Sequence, residues 1–164
     1  MAVTVRATTE EDLPDLGRLW NDGAVMGWVG FPGLGYDDAA LRAWYERMAA
    51  NPHARHFVVH DTELGFCGEL FYRVDPEHRR AGLDVKLVPP AQGRGIARAS
   101  FSRLIELVFE EEPDVEAVWT EPSPVNVAAR ALYTRCGLVE GNRPSDLGMG
   151  PSYWERRRPQ AITP

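Results

Sequence analysis

The residues best suited to chemistry lie in one run, from Val85 to Arg98. It reads as a strand, a proline stop at Pro89 and Pro90, a turn through Gln92, Gly93, Arg94 and Gly95, and a helix start at Ile96, Ala97 and Arg98. Two glycines let the backbone bend sharply and leave its N–H groups unobstructed. Those groups stand at a helix N-terminus, which carries roughly half a positive charge and favours phosphate. Arg94 and Arg98 add positive charge. A nucleoside-triphosphate loop would end in Gly-Lys-Ser or Gly-Lys-Thr, which is missing. A dinucleotide turn would need a third glycine where Arg98 stands and would follow the first strand. Two readings are left: a cradle for phosphates of another kind, or a tight strand-to-helix turn with no ligand.

Other reactive side chains carry less. His53, His56 and His60 are spaced three and four apart, but His56 and His60 fall on an expected strand, so no metal site is expected. Cys67 has no adjacent histidine or helix start to activate it, which argues against an acyl-cysteine enzyme.

The glycine turn resembles the Gln/Arg-x-x-Gly-x-Gly/Ala signature of the Gcn5-related N-acetyltransferases, matched by Gln92, Gly95 and Ala97. A second match follows at that family's spacing: Asn126, then Leu132 with Tyr133, then Gly137 with Leu138. The resemblance covers nearly the whole chain and is sharpest from residue 80 to 138. It implies an α/β fold of the α+β kind: a mixed, mostly antiparallel sheet of about six or seven strands, flanked by about four helices. It also implies that the sheet splays between the strands at 81–88 and 115–121.

The resemblance implies roles. The backbone of Val85, Lys86 and Leu87 would pair with the pantetheine amides of acetyl-CoA, which look like peptide groups to a strand edge. N–H groups from 85–88 would steady the oxyanion of the attacked carbonyl. The turn from Gln92 to Arg98 would cradle the pyrophosphate, and Asn126 would bond the cofactor between pantetheine and phosphate. Tyr133 lies two helical turns after Asn126 and would stand near the thioester sulfur. A thiol titrates at about 8.5 and a phenol at about 10, so the phenol is a fitting proton donor to the departing thiolate.

The amine also needs activation. An alkyl amine of pKa about 10.4 is only about one-thousandth neutral at pH 7.4, a deficit of roughly 4 kcal/mol. Three strand carboxylates are candidates for the base, in the order Glu121, Asp84, Glu69. Many family members have a glutamate two residues before Asp84, where this chain has Gly82. That departure keeps an alternative alive, a non-catalytic acyl-CoA-binding module; transfer of another acyl group, such as succinyl, is a third reading. Met26, Trp28, Phe31 and Tyr36 lie in a glycine-rich loop, 26–36, between the two helices that line the acceptor site in the family, and would form a wall for the amine or a lid.

These residues need a frame. Alternation predicts a strand at 3–7, then a helix capped by Thr8 or Thr9 with acids in its first turn. A second helix is expected from Asp37 to Ala50, strands at 56–61, 65–75 and 81–88, a helix at 95–110 and a strand at 115–121. Ser123 and Pro124 predict the start of a helix ending at Cys136 with Gly137 behind it; short strands at 138–140 and 152–157 close the fold. Residues 1–157 are expected to form one domain, with 158–164 as a disordered tail.

The 164 residues carry 18 basic and 24 acidic side chains, a formal charge of −6, and are 44% hydrophobic, as in ordinary globular domains. The acidity argues against a nucleic-acid partner. No apolar run reaches membrane-spanning length, the N-terminus has no signal core, and two cysteines make no disulfide framework, so a reducing cytoplasm is expected. The reading is an acetyl-CoA-dependent N-acetyltransferase acting in a ternary complex with a primary amine, with no metal; dimers are common in the family it resembles, which leaves a homodimer open without fixing the oligomeric state.

Overall fold

The computed structural model describes residues 2–161. Seven strands form one sheet: β1 (Val3–Ala7), β2 (Ala54–Asp61), β3 (Gly65–Asp75), β4 (Arg80–Leu87), β5 (Ala117–Thr120), β6 (Val139–Glu140) and β7 (Trp154–Arg157), in the order β1-β2-β3-β4-β5-β7-β6. Neighbours are antiparallel except β4 and β5, which run parallel. Five α-helices flank the sheet: α1 (Leu13–Trp20), α2 (Gly23–Met26), α3 (Asp38–Ala49), α4 (Ile96–Glu111) and α5 (Val127–Arg135). The mixed, mostly antiparallel architecture is the expected one, with one short helix more.

Local chemistry explains the helix starts. The Thr9 N–H donates to Asp12 at 2.8 Å, and Pro14 occupies the first turn of α1, where a missing N–H does no harm. Asp37 caps α3 by accepting from the Ala40 N–H at 2.8 Å. Two apolar clusters fix the layers. Leu16, Leu19, Trp20 and Leu41 pack with Val58 on one sheet face. Leu70, Tyr72, Phe101, Leu104, Ile105 and Val108 build the larger core on the other. Burying a side chain such as Phe101 contributes about 1.5–3 kcal/mol.

The parallel junction positions the site. β4 and β5 pair only at Arg80–Ala117, Ala81–Val118 and Gly82–Trp119, then diverge. The β4 edge from Leu83 to Leu87 therefore has no strand partner on the β5 side. On its other side β4 presses against β3 at Gly68, where a Cβ would lie 2.0 Å from the Lys86 carbonyl oxygen. Gly68 also has φ +151°, so the close approach and the backbone both require glycine there.

Two expectations are corrected. The loop at 26–36 is partly regular, because Asp22 accepts from the Ala24 N–H and starts α2, which runs on into a short 3-10 turn at Gly27–Val29. The helix expected from Ser123 begins at Val127, since Asn126 is the residue whose side chain caps it. The closing strand β7 lies between β5 and β6. Arg158 donates to the carbonyls of Phe109, Glu112 and Val115, each at 2.8 Å, tying the chain end to the C-terminus of α4. Residues 162–164 of the expected tail lie outside the described residues. Among the described residues no helix is long and apolar enough to cross a membrane.

Candidate active site

Where β4 and β5 part, a cleft of about 960 Å³ opens. Its wall includes Asp84, Val85, Lys86, Leu87, Gln92, Gly93, Gly95, Ala97, Arg98, Glu121, Asn126 and Tyr133, together with Trp28. Most of the candidate residues thus share one space, although they run from Trp28 to Tyr133 in the chain.

One end is the glycine turn. Gly93 and Gly95 have φ +73° and +79°, with open space where a Cβ would be, so they serve the bend rather than close packing. Gly95 stands at the N-cap of α4 and offers no side chain to cap it, leaving first-turn N–H groups for a ligand. Gln92 reaches back, donating from its amide to the Leu87 carbonyl at 3.1 Å, and ties the turn to the end of β4. Ile96 is completely buried and anchors α4 in the core; Arg94 is exposed and lies outside the cleft lining. Asn126 accepts from the Ala129 N–H at 3.1 Å, capping α5 while it lines the cleft.

The middle of the cleft holds the titratable groups. Tyr133 is 5% exposed and its ring centroid lies 5.0 Å from that of Phe101. Burial, with help from the Asp84 charge, pushes its phenol up to about 12, so it carries its proton at neutral pH. On β4, Asp84 and Lys86 form an ion pair, and Lys86 also reaches Glu69 of β3 at 3.2 Å. Glu69 bonds His56 at 2.5 Å, and His56 meets the Thr8 hydroxyl at 2.7 Å. Burial alone would raise the Glu69 carboxyl, but Lys86 and His56 outweigh it and bring it down to about 2. Desolvation likewise acts to lower Lys86, yet the two carboxylates hold its pKa above the usual lysine range. Asp84 moves the other way. Its side chain is 42% open to the cleft, but the protein around it removes enough water to raise its pKa, with Lys86 opposing. Of the N–H groups from 85–88, that of Val85 donates to Asp84 at 2.9 Å and that of Val88 to the Cys67 carbonyl at 2.9 Å.

The other end is aromatic. Gly82 lies under the Trp119 indole: a Cβ there would come within 3.3 Å of it. Trp119 stacks on Tyr153 with centroids 5.7 Å apart, and Phe71 and Trp28 complete the wall. Glu121 is paired with Arg143 at 2.5 Å, which also holds the Leu147, Gly148 and Ser152 carbonyls of the loop between β6 and β7. The expected acceptor wall divides. Trp28 faces the cleft, Met26 is only 4% exposed in the smaller core, Tyr36 packs on Trp20 at 6.0 Å, and Phe31 is exposed away from the lining. Sequence reasoning missed Trp119, Phe71 and Arg73; their strand positions were legible, but the face shared across β3, β4 and β5 follows only from the register.

The three spaced histidines do not assemble. Asp75, His78 and Asp146 bring ligand atoms within 4.8 Å of one another, but Arg80 donates to both carboxylates, making the group an ion-pair knot between the β3–β4 hairpin and the loop after β6.

A family model for the acetyltransferase (GNAT) domain matches residues 2–139. The chain belongs to the GNAT acetyltransferases. It is an acetyl-CoA-dependent N-acetyltransferase. A spermidine N(1)-acetyltransferase of Vibrio cholerae is 27% identical over 140 residues, covering 84% of this chain and 79% of the relative. The crystal structure of spermidine N-acetyltransferase from Vibrio cholerae with CoA and spermine superposes with a TM-score of 0.78 at 24% identity, covering 93% of this chain and 92% of that one. An aminoglycoside acetyltransferase in complex with coenzyme A gives 0.76 at 22% identity, covering 96% and 95%. A dodecameric form of the Vibrio enzyme gives 0.74 at 23% identity, covering 94% and 93%.

Proposed function

We propose that the cleft between β4 and β5 holds acetyl-CoA with its pyrophosphate at the glycine turn, that Asp84 is the base and that Tyr133 is the acid. The observation that carries this is the placement of Asp84 and Tyr133 in one cleft that also opens onto the uncapped N-terminus of α4. The residues fit the co-substrate: the free β4 edge suits its peptide-like arm, and Gly93, Gly95, Ala97 and Arg98 suit its phosphates. Acetyl-CoA supplies a thioester, an acyl group on a good leaving group. Asp84 accepts the proton that the amine loses as its nitrogen bonds the acyl carbon. Tyr133 gives its proton to the sulfur as the carbon–sulfur bond breaks, and solvent later returns that proton to the phenolate. Holding both substrates in one cleft supplies much of the acceleration.

Asp84 is favoured over the other two carboxylates. Glu121 is tied to Arg143, and Glu69 is sealed between His56 and Lys86. Asp84 alone combines access to the cleft with a raised pKa. It also answers the missing glutamate at Gly82, so the purely binding reading loses its motive. The setting is proposed as a reducing cytoplasm, in keeping with two buried, unpaired thiols, Cys67 and Cys136. Self-association is proposed by analogy with the dodecameric relative.

Thiol release from acetyl-CoA with a panel of primary amines tests the reading. Release with at least one amine, reduced by Asp84→Asn and by Tyr133→Phe, supports it. Acetyl-CoA binding without release to any amine would restore the binding-module alternative.

A further inference from the structure

The charges at the aromatic end of the cleft do not balance. Arg73 lies on β3 opposite Gly82, which in turn lies opposite Trp119 of β5, so these three positions form one row across the sheet. Gly82 is five residues before Leu87, about 16 Å along β4, which sets Arg73 at the far end of the cleft from the glycine turn. Nearby arginines are spent on carboxylates: Arg55 on Glu111, Arg79 on Glu116, Arg80 on Asp75 and Asp146, Arg143 on Glu121. The acids of the cleft are likewise matched, Asp84 with Lys86 and Glu121 with Arg143. Among the described residues Arg73 has neither an ion pair nor a hydrogen bond from its guanidinium; its recorded contact is the face of Phe71, 5.9 Å from the ring centroid. It lines the cleft beside Phe71, Trp119 and Trp28.

Given the acetyl-transfer reading, we propose that Arg73 receives a carboxylate of the second substrate, so that the acceptor is an amine that also carries a carboxylate, of the amino-acid class, with its apolar body against Phe71 and Trp119. A guanidinium presents a planar fork that pairs a carboxylate with two parallel hydrogen bonds, and Phe71 beneath it limits its freedom. The same unpaired cation repels a polyamine, every charge of which is positive. The anchor and the base also divide the acceptor's ends: the carboxylate goes to Arg73, and the amine to Asp84, which lies opposite Phe71 two residues along β4.

Matched acceptors test this. Thiol release is compared for phenylalanine and tryptophan, for their amides, and for the decarboxylated amines phenethylamine and tryptamine, with the polyamine spermidine as a contrast. The amino acids should exceed their carboxylate-free partners in kcat/KM by about ten- to hundredfold, the range of a charge-assisted pair. Arg73→Gln should abolish that ratio and leave the KM for acetyl-CoA unchanged, and Arg73→Lys should restore part of it. A wild-type enzyme that uses acids and amides equally, prefers spermidine, or keeps its preference in Arg73→Gln overturns the proposal. A second arm distinguishes an acyl-borne carboxylate: if Arg73 dependence appears with succinyl-CoA and a neutral amine but not with acetyl-CoA and amino acids, the assignment to the acceptor is wrong. Failure here leaves acetyl transfer to other amines intact, whereas a protein that releases no thiol with any amine overturns both readings.

Discussion

Tyr133 and Asp84 occupy one cleft, and the loss of water around them raises the pKa of both. Burial holds the phenol protonated, at about 12, while desolvation raises the Asp84 carboxyl and the Lys86 ammonium paired with it opposes that rise. Tyr133→Phe keeps the ring packing on Phe101 and removes only the proton donor. It should lower kcat about a hundredfold with the KM for acetyl-CoA within about twofold, as steady-state thiol release will show. Asp84→Asn should lower kcat/KM about a hundredfold and flatten the acid limb of its pH profile, a limb lying above the ordinary aspartate range because the Asp84 pKa is raised. The family resemblance singled out Tyr133, and Asp84 stood second among three candidate bases in the sequence; that both line one cleft is visible only in the fold. The commitment of Glu69 to His56 and Lys86 was not, because it depends on three side chains from three strands meeting on one face.

At the scale of elements, the site depends on what β4 does on each side. Toward β5 it lets go after Gly82, and toward β3 it closes tightly at Gly68. Gly68→Ala meets the Lys86 carbonyl at 2.0 Å and an unfavourable φ, so it should destabilise by about 2 kcal/mol and weaken acetyl-CoA binding with it. Gly95→Ala has open space and carries only the strain of a left-handed residue, about 1 kcal/mol. Urea unfolding of both variants checks the contrast. Helices and strands were readable from periodicity because each buries one face. The start of α5 was misplaced because Ser123 with Pro124 and Asn126 both offer starting chemistry, and local sequence does not say which caps. The place of β7 between β5 and β6 was hidden because pairing partners distant in sequence leave no local signal.

Across the whole molecule, the ionised Glu69 links the two sides of the active-site sheet. Its folded pKa is lowered from 4.5 to about 2, so the stability it contributes is complete above the unfolded value and lost as the pH falls from about 4.5 toward 2. Thermal melts should show a steep fall over that window, shallower in Glu69→Gln, which starts less stable. Arg158 fastens the end of the chain to α4, and Arg158→Ala should lower the melting temperature without changing the KM for acetyl-CoA. The architecture as a whole was legible through the family resemblance that the two motifs carry, which also implied the splay between β4 and β5.

Calorimetric titration of acetyl-CoA into the wild type and into Ala97→Glu tests the central claim most directly. Ala97 is half-buried, touching the larger core on one side and lining the cleft in the first turn of α4, where a new carboxylate opposes a phosphate. The account predicts micromolar binding by the wild type and a loss of at least tenfold in the variant at an unchanged melting temperature. Equal binding by both proteins, or no heat with either, would contradict it.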